Sequence, residues 1–263
     1  PFAGQLPLKN IEIICKGRLK NFRRPFADCL PAMLFSFRLL IVAINIFYNY
    51  DISQLPKNLN MKHFGIKLAL FINYFVFAIL LNSVGIVIKQ SLANYGVTET
   101  EASILEAFKD LPIAIVSFFV ASFLPKFGYK NSMLLALAVV FGACLYMYTG
   151  NSFTASKALF LCIGVAFAFI KVSVYSMIGL FTESKEQHNS FMSSIEGFFM
   201  VGIASAYFLF PAFFDGNNPD AWLRVYLLLA GLIAIAFFLL LFTKIDVAIP
   251  KSEGRLIDDF TGM

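Results

Sequence analysis

Residues 157–181 read KALFLCIGVAFAFIKVSVYSMIGLF, with Lys157 at the start and Lys171 as the only other charge. A helix of this length extends for about 38 Å, because each residue adds ~1.5 Å, and a bilayer's hydrocarbon core is only ~30 Å thick. The stretch is therefore predicted to be a membrane-spanning helix with an ammonium group near its middle.

The composition extends this interpretation to the whole chain. Of 263 residues 59% are apolar and 14% charged, and the mean hydropathy is +0.76, whereas a soluble domain has roughly half and a quarter. A soluble protein is excluded. The net charge is +5, but the basic residues lie mainly beside apolar segments, which favours an anionic bilayer surface over nucleic acid as partner.

Six apolar stretches recur between residues 61 and 243, each long enough to cross a bilayer. The predicted fold is an all-α polytopic membrane protein with a six-helix bundle at 61–243. The predicted spans are Ile66–Ile88, Ile104–Leu124, Ser132–Thr149, Lys157–Phe181, Ser190–Phe213 and Val225–Thr243.

Basic loop residues predict the orientation, because Lys and Arg resist translocation. If the segment before the first span is cytoplasmic, that side holds Lys57, Lys62, Lys67, Lys126, Lys130, Lys185, Lys244, Lys251 and Arg255. The other side holds Lys89, Lys157 and Arg224. Both ends of the six-helix unit are expected in the cytoplasm.

Residues 1–60 form a leader of doubtful relevance. Residues 31–50 are apolar apart from Arg38, but a span there would invert every later loop. Three interpretations stay open: a translated upstream region with the true start at Met61, an interfacial helix over 31–50, and a seventh span.

Charges inside the spans are the chemical content of the sequence, because an ionisable group at mid-membrane costs at least ~2.5 kcal/mol unless it faces water or a partner. By helix rise, Lys171 lies ~15 Å from the inner end of its span and Glu196 ~9 Å from that side on the next one. An ion pair between them, or a link through water, is expected. Tyr175 follows Lys171 by one turn and adds a hydroxyl on the same face. The pair serves either to neutralise charge or to bind a substrate or coupling ion.

Three further polar positions are candidates for the substrate or coupling site. Glu106 and Asp110 share a helix face with Lys109, which fits either a locally neutralised headgroup cluster or a substrate contact. Asn82 is the candidate on the first span, since Asn73 lies about 180° away around the helix.

The loop between the second and third spans carries a family resemblance. Residues 121–130 read ASFLPKFGYK and align with G-x-L-A-D-R-x-G-R-K, the cytoplasmic signature of the major facilitator superfamily. Lys126, Gly128 and Lys130 match, whereas Pro125 replaces the acid and Ala121 the first glycine. The segment from Met61 to Thr243 resembles the amino-terminal six-helix half of such a transporter.

Within that superfamily the chain is similar to the fucose:proton symporter group of bacterial sugar transporters. Leu81-Asn82-Ser83 falls where that group has Leu-Asn-Asp, and Ile195-Glu196-Gly197 where it has Phe-Asn-Ser or Phe-Asn-Gly. Lys171 stands where the group has an acid. The resemblance thus implies a small solute such as a sugar or an organic anion attracted by Lys171, with ion coupling through Glu196, in a bacterial inner membrane.

The resemblance also implies twelve helices in two halves, with the solute held between them. Residues 244–263 then resemble the start of a cytoplasmic central loop, and the carboxy-terminal half is missing.

The alternative is a self-dimerising six-helix channel or half-size carrier, in which Gly197, Gly202, Ala204, Ser205 and Ala206 permit close helix contacts. An intramembrane enzyme is disfavoured, because the sequence lacks H-E-x-x-H, G-x-S-x-G and P-loop motifs. No cofactor or metal is expected.

Overall fold

The computed structural model describes residue 38 and residues 64–182, 184–214 and 218–243. Residue 38 is helical, and the ranges from residue 64 onward form seven α-helices and two short 3₁₀ helices, Pro211–Phe213 and Ala221–Leu223. The α-helices are α1 Phe64–Asn82, α2 Val84–Tyr95, α3 Glu99–Phe127, α4 Tyr129–Gly150, α5 Phe153–Phe181, α6 Lys185–Leu209 and α7 Arg224–Phe242. The all-α prediction is confirmed. The expectations for 1–60, Arg38 apart, and for 244–263 lie outside the described residues.

Five helical segments in the described part of the chain have the length and composition needed to cross a membrane: Gly65–Tyr95, Tyr129–Gly150, Phe153–Leu180, Lys185–Phe213 and Ala221–Phe242. α3 is 29 residues long but is not among them. Its first half concentrates charge, with Glu99, Glu101, Glu106, Lys109 and Asp110. Large apolar side chains also stay exposed, including Phe118 and Phe242 at 78% each, as expected of an integral membrane protein.

The first span, Gly65–Tyr95, is continuous, with a local irregularity at Ser83, the residue between α1 and α2. The Ser83 hydroxyl donates to the Leu80 carbonyl at 2.6 Å, and the Ser83 amide donates to the Ile79 carbonyl at 3.1 Å. A serine hydroxyl that bonds to a carbonyl of the preceding turn competes with the backbone and bends helices. The predicted first span, Ile66–Ile88, lies within this continuous segment.

Close backbone contacts hold the bundle together at two glycines. α5 packs extensively against α3 and α4, and α1 packs against α6. A Cβ added at Gly202 on α6 would lie 2.6 Å from the Ala78 Cβ and 2.8 Å from the Phe75 carbonyl oxygen, both on α1. At Gly164 on α5 it would meet the backbone of Lys109 on α3. Gly202 therefore serves packing within the chain, one of the two roles that the sequence left open for the small residues of α6.

The helix ends gather at opposite ends of the bundle, as expected for consecutive spans. At one end, Gly65 lies beside Thr243, since a Cβ there would be 3.7 Å from the Thr243 side chain. At the other end, the Tyr95 hydroxyl donates to Asn151 Oδ1 at 3.0 Å, and Asn151 Nδ2 donates to Asp220 Oδ1 at 2.9 Å. This polar network joins the end of α2 to the loops that follow α4 and α6.

Candidate functional site

Tyr175 connects the two charged residues that the sequence places deep in neighbouring spans. Its hydroxyl donates to Glu196 Oε1 on α6 at 2.5 Å. The Lys171 ammonium lies over its ring, 5.7 Å from the ring centre, within the range of a cation–π contact. Lys171 and Tyr175 are one turn apart on α5, so both side chains project from one helix face.

The expected ion pair between Lys171 and Glu196 is not formed among the described residues. The Tyr175 phenol accounts for this difference. Its ring contacts the ammonium group while its hydroxyl takes the carboxylate, so the charges are linked through one side chain. Lys171, Tyr175 and Glu196 form what we call the charged triad, and all three are half-buried.

A cluster of aromatic rings from α1, α5 and α6 packs beside the triad. The Tyr74 ring of α1 lies 6.3 Å from the ring of Tyr175, 6.0 Å from that of Phe167 and 5.9 Å from that of Phe199. Phe167 and Phe199 are themselves 5.9 Å apart. Tyr74 and Phe167 are buried, whereas Phe199 is half-buried. Ring pairs at these separations favour one another, so the cluster fixes α1, α5 and α6 around the triad.

The sequence analysis did not assign Phe167 or Phe199 to the site. The signal that could have identified them is spacing: Phe167 precedes Lys171 by four residues, and Phe199 follows Glu196 by three, so each shares a helix face with a triad member. Thirty-two phenylalanines make that signal weak, because similar spacings occur throughout the chain.

Asn82 is the last residue of α1 and is half-buried. Its side-chain amide donates to the Ala78 carbonyl of its own helix at 2.9 Å. Within the described residues, its side chain has no hydrogen bond to the triad. A role for Asn82 at a substrate site remains a prediction.

The acidic candidates on α3 stand apart from the triad. Glu106 and Asp110 are exposed, and Lys109 forms a salt bridge with Asp110 at 3.4 Å. The Lys109 backbone faces Gly164, which precedes Lys171 by seven residues, or ~10 Å along α5. This geometry favours the locally neutralised cluster, while a substrate contact for Glu106 or Asp110 remains a prediction.

The loop motif binds the end of the last helix. Gly128 joins α3 to α4 with φ +91°, a conformation that favours glycine. The Lys130 ammonium donates to the carbonyl oxygens of Leu241 and Thr243, both at 2.8 Å. A cation at the carboxyl end of a helix satisfies free carbonyls and complements the helix dipole. The side chain of Lys126 lies outside the described part.

The charged triad carries groups that can bind a polar solute. It offers an ammonium group, a carboxylate with one engaged oxygen, and aromatic surface, all half-exposed between two helices. In the part of the chain that the structure describes, no group of three His, Cys, Asp or Glu side chains could hold a metal ion. Cys144 and Cys162 are free thiols.

Comparison with known proteins gives one match. The family model described as Major Facilitator Superfamily matches residues 68–256, well over half of the chain. No curated protein and no solved structure matches closely enough to count as a relative.

Proposed function

Because the chain belongs to the major facilitator superfamily, whose members are transporters, we propose that it moves a small polar solute, such as a sugar or an organic anion, by alternating access. The observation that carries this proposal is the charged triad. Ionisable side chains at membrane depth mark substrate and ion pathways, and these three are half-buried and linked to one another.

The proposal assigns a role to each triad residue. Lys171 attracts the solute's negative or electron-rich group. Glu196 is the site of ion coupling, because it is a carboxylate at membrane depth, and a cation that binds there would change the hydrogen bond that it accepts from Tyr175. Tyr175 transmits that change between α5 and α6. Asn82, Glu106 and Asp110 are secondary candidates along the path.

The finer assignments follow the resemblance and stay part of the proposal. The protein is a symporter similar to the fucose:proton group, it resides in a bacterial inner membrane, and both ends of the six-helix unit face the cytoplasm. By that resemblance, the six predicted spans correspond to the amino-terminal half of a family architecture in which the solute lies between two halves. Lys126, Gly128 and Lys130 form the cytoplasmic loop that holds the end of α7.

Uptake by membrane vesicles containing the complete gene product tests the proposal. A panel of radiolabelled sugars and organic acids identifies the solute, and Lys171→Ala is then compared with Lys157→Ala. Lys157 is a matched control, because it lies on the same helix and also contacts an aromatic ring, that of Phe153 at 4.5 Å. We expect Lys171→Ala to lower initial uptake about tenfold or more, a loss of ~1.4 kcal/mol, at an unchanged amount of protein in the membrane.

Lys157→Ala should retain most of the uptake. Normal uptake by the Lys171→Ala variant would contradict a binding role for this residue. Failure of every solute on the panel to accumulate would contradict the transporter proposal as a whole.

A further inference from the structure

Building on the proposed function, we infer that the solute is a ring-form sugar acid. Such a molecule carries a single carboxylate, neighbouring hydroxyl groups and an apolar face of C–H bonds. The inference rests on four half-buried side chains on the facing sides of α5 and α6: the charged triad and Phe199.

The ammonium group of Lys171 selects the carboxylate. Among the described residues Lys171 has a ring contact with Tyr175 but no carboxylate partner. A cation in apolar surroundings is stabilised most by an opposite charge. The Glu196 carboxylate is engaged by Tyr175 and does not contact the ammonium directly, so a solute monoanion supplies a direct ion pair that a neutral sugar does not.

Glu196 selects the hydroxyl groups. Its Oε1 already accepts a hydrogen bond from Tyr175, but a carboxylate has about four acceptor positions on its two oxygens, so further donors fit. Glu196 also repels a second negative charge, which disfavours dicarboxylates. A solute ammonium at Glu196 would lie near Lys171, since both residues contact Tyr175; a hydroxyl group avoids that repulsion.

Phe199 and Tyr175 select the ring. Phe199 follows Glu196 by three residues on α6, and its own ring is held by those of Tyr74 and Phe167, each 5.9 Å away. A rigid, half-exposed aromatic face attracts the weakly positive C–H edge of a sugar ring. An open-chain acid presents no such flat face.

The inference is tested by measuring the uptake of four matched, radiolabelled solutes by vesicles that contain the complete gene product. Glucuronate is the ring-form acid, glucose its neutral counterpart, gluconate its open-chain counterpart, and phenylalanine a zwitterion with an aromatic ring. We expect glucuronate uptake to exceed that of each of the other three about tenfold or more.

Two variants connect the preference to the side chains. Lys171→Met should bring the ratio of glucuronate to glucose uptake close to one, and Phe199→Leu should bring the ratio of glucuronate to gluconate close to one. Met200→Leu, on the neighbouring and 61% exposed position, should leave both ratios unchanged. Such ratios do not respond to a merely structural role, which would lower the uptake of all solutes together.

The outcomes separate the inference from the proposed function. Preference for glucose, gluconate or phenylalanine overturns the sugar-acid inference and leaves the transporter proposal standing. The sugar-acid inference is also overturned, with the transporter proposal still standing, if the vesicles accept none of the four solutes but take up another one. The same holds if Lys171→Met and Phe199→Leu leave the uptake ratios unchanged. Absence of uptake for every sugar and organic acid tested overturns both.

Discussion

Two of the contacts that helix α5 makes differ greatly, those with α3 and with α6. Against α3 it approaches backbone to backbone, because Gly164 has no side chain and faces the backbone of Lys109 and the Pro112 Cβ. Against α6 it packs over only a short stretch, where the Tyr175 hydroxyl donates to Glu196. The first contact, which we call the tight junction, brings backbone atoms of two helices together, whereas the second, which we call the sparse junction, includes a hydrogen bond between side chains.

This difference explains where the charges are placed. A close backbone contact has one favourable geometry and leaves no space for a solute. A hydrogen bond between two side chains can be broken and remade without disturbing a packed core, and its polar atoms remain within reach of water. The tight junction therefore acts as scaffold, while the sparse junction holds the groups that can respond to a ligand.

The largest predicted effect comes from filling the tight junction. Gly164→Ala adds a Cβ that would lie 3.2 Å from the Lys109 carbonyl carbon and 3.3 Å from the Pro112 Cβ, so α3 and α5 must separate. Overpacking of this kind costs about 1–3 kcal/mol, and we expect the upper end because backbone atoms cannot move aside. Thermal unfolding of purified protein in detergent measures the loss.

Gly179→Ala is the matched control, because Gly179 lies on the same helix with nothing within 4 Å of the added Cβ. It should unfold close to the unchanged protein. Equal losses of stability in the two variants would contradict this prediction, because they would show that the contact between Gly164 and α3 is no more sensitive to an added methyl group than the open position of Gly179.

The second prediction weakens the sparse junction. Tyr175→Phe keeps the ring beneath Lys171 but removes the donor to Glu196, and a polar group left without its partner costs about 1–3 kcal/mol. Half-burial places this variant at the lower end, near 1 kcal/mol, because water partly replaces the lost donor. Tyr207→Phe, at a 63% exposed position on α6, should change stability little.

A double-mutant cycle isolates the Tyr175–Glu196 bond. Glu196→Gln removes the negative charge that accepts the hydrogen bond from the Tyr175 hydroxyl. In that background, adding Tyr175→Phe should lower the stability less than Tyr175→Phe does alone. Strict additivity would indicate that the two side chains do not interact in the membrane protein.

Hydropathy and helix rise predict much of this architecture from the sequence. The apolar stretches locate the helices, and the depth calculation places Lys171 and Glu196 at similar levels. The irregularity at Ser83 is not predicted, since it involves a hydrogen bond from the Ser83 hydroxyl to the Leu80 carbonyl that the sequence does not specify. Nor is the position of Tyr175 between the charges, because sequence spacing gives a shared face but not which group a side chain reaches on another helix.

Glycine roles illustrate the same limit. Gly164, Gly179 and Gly197 all occur in apolar helices, yet only Gly164 among these three meets another helix at the distance of a clash. The sequence contains no difference that separates them. Lys130 is similar, because its match to a loop motif does not indicate that it donates to two carbonyl groups after more than a hundred intervening residues.

The smallest predicted effect lies at the exposed start of α3, the helix that forms the tight junction with α5. The Thr98 hydroxyl accepts a hydrogen bond from the Glu101 amide at 3.3 Å, and Glu101 Oε2 accepts one from the Thr98 amide at 2.9 Å, a reciprocal N-terminal cap. The Thr98 hydroxyl also donates to Glu101 Oε2, at 3.0 Å, and the hydrogen bonds that this carboxylate accepts from the Thr98 amide and hydroxyl lower the pKa of Glu101 from its ordinary value. A carboxyl with a lowered pKa stabilises the folded state above its ordinary pKa, and this contribution is lost as pH falls through the folded value.

Thr98→Ala should therefore destabilise the protein less than Tyr175→Phe, and the deficit should be largest near neutral pH. The deficit should narrow as pH falls through the lowered pKa of Glu101, because protonation of this carboxylate weakens the hydrogen bond from the Thr98 hydroxyl, which only the unchanged protein makes. Unfolding midpoints of both proteins, measured across that range, check the prediction. A deficit that stays constant with pH would show that Thr98 acts only through its bond to the Glu101 amide. If Thr98→Ala lowers the stability more than Gly164→Ala does, the N-terminal cap of α3 contributes more to stability than the contact of α3 with α5.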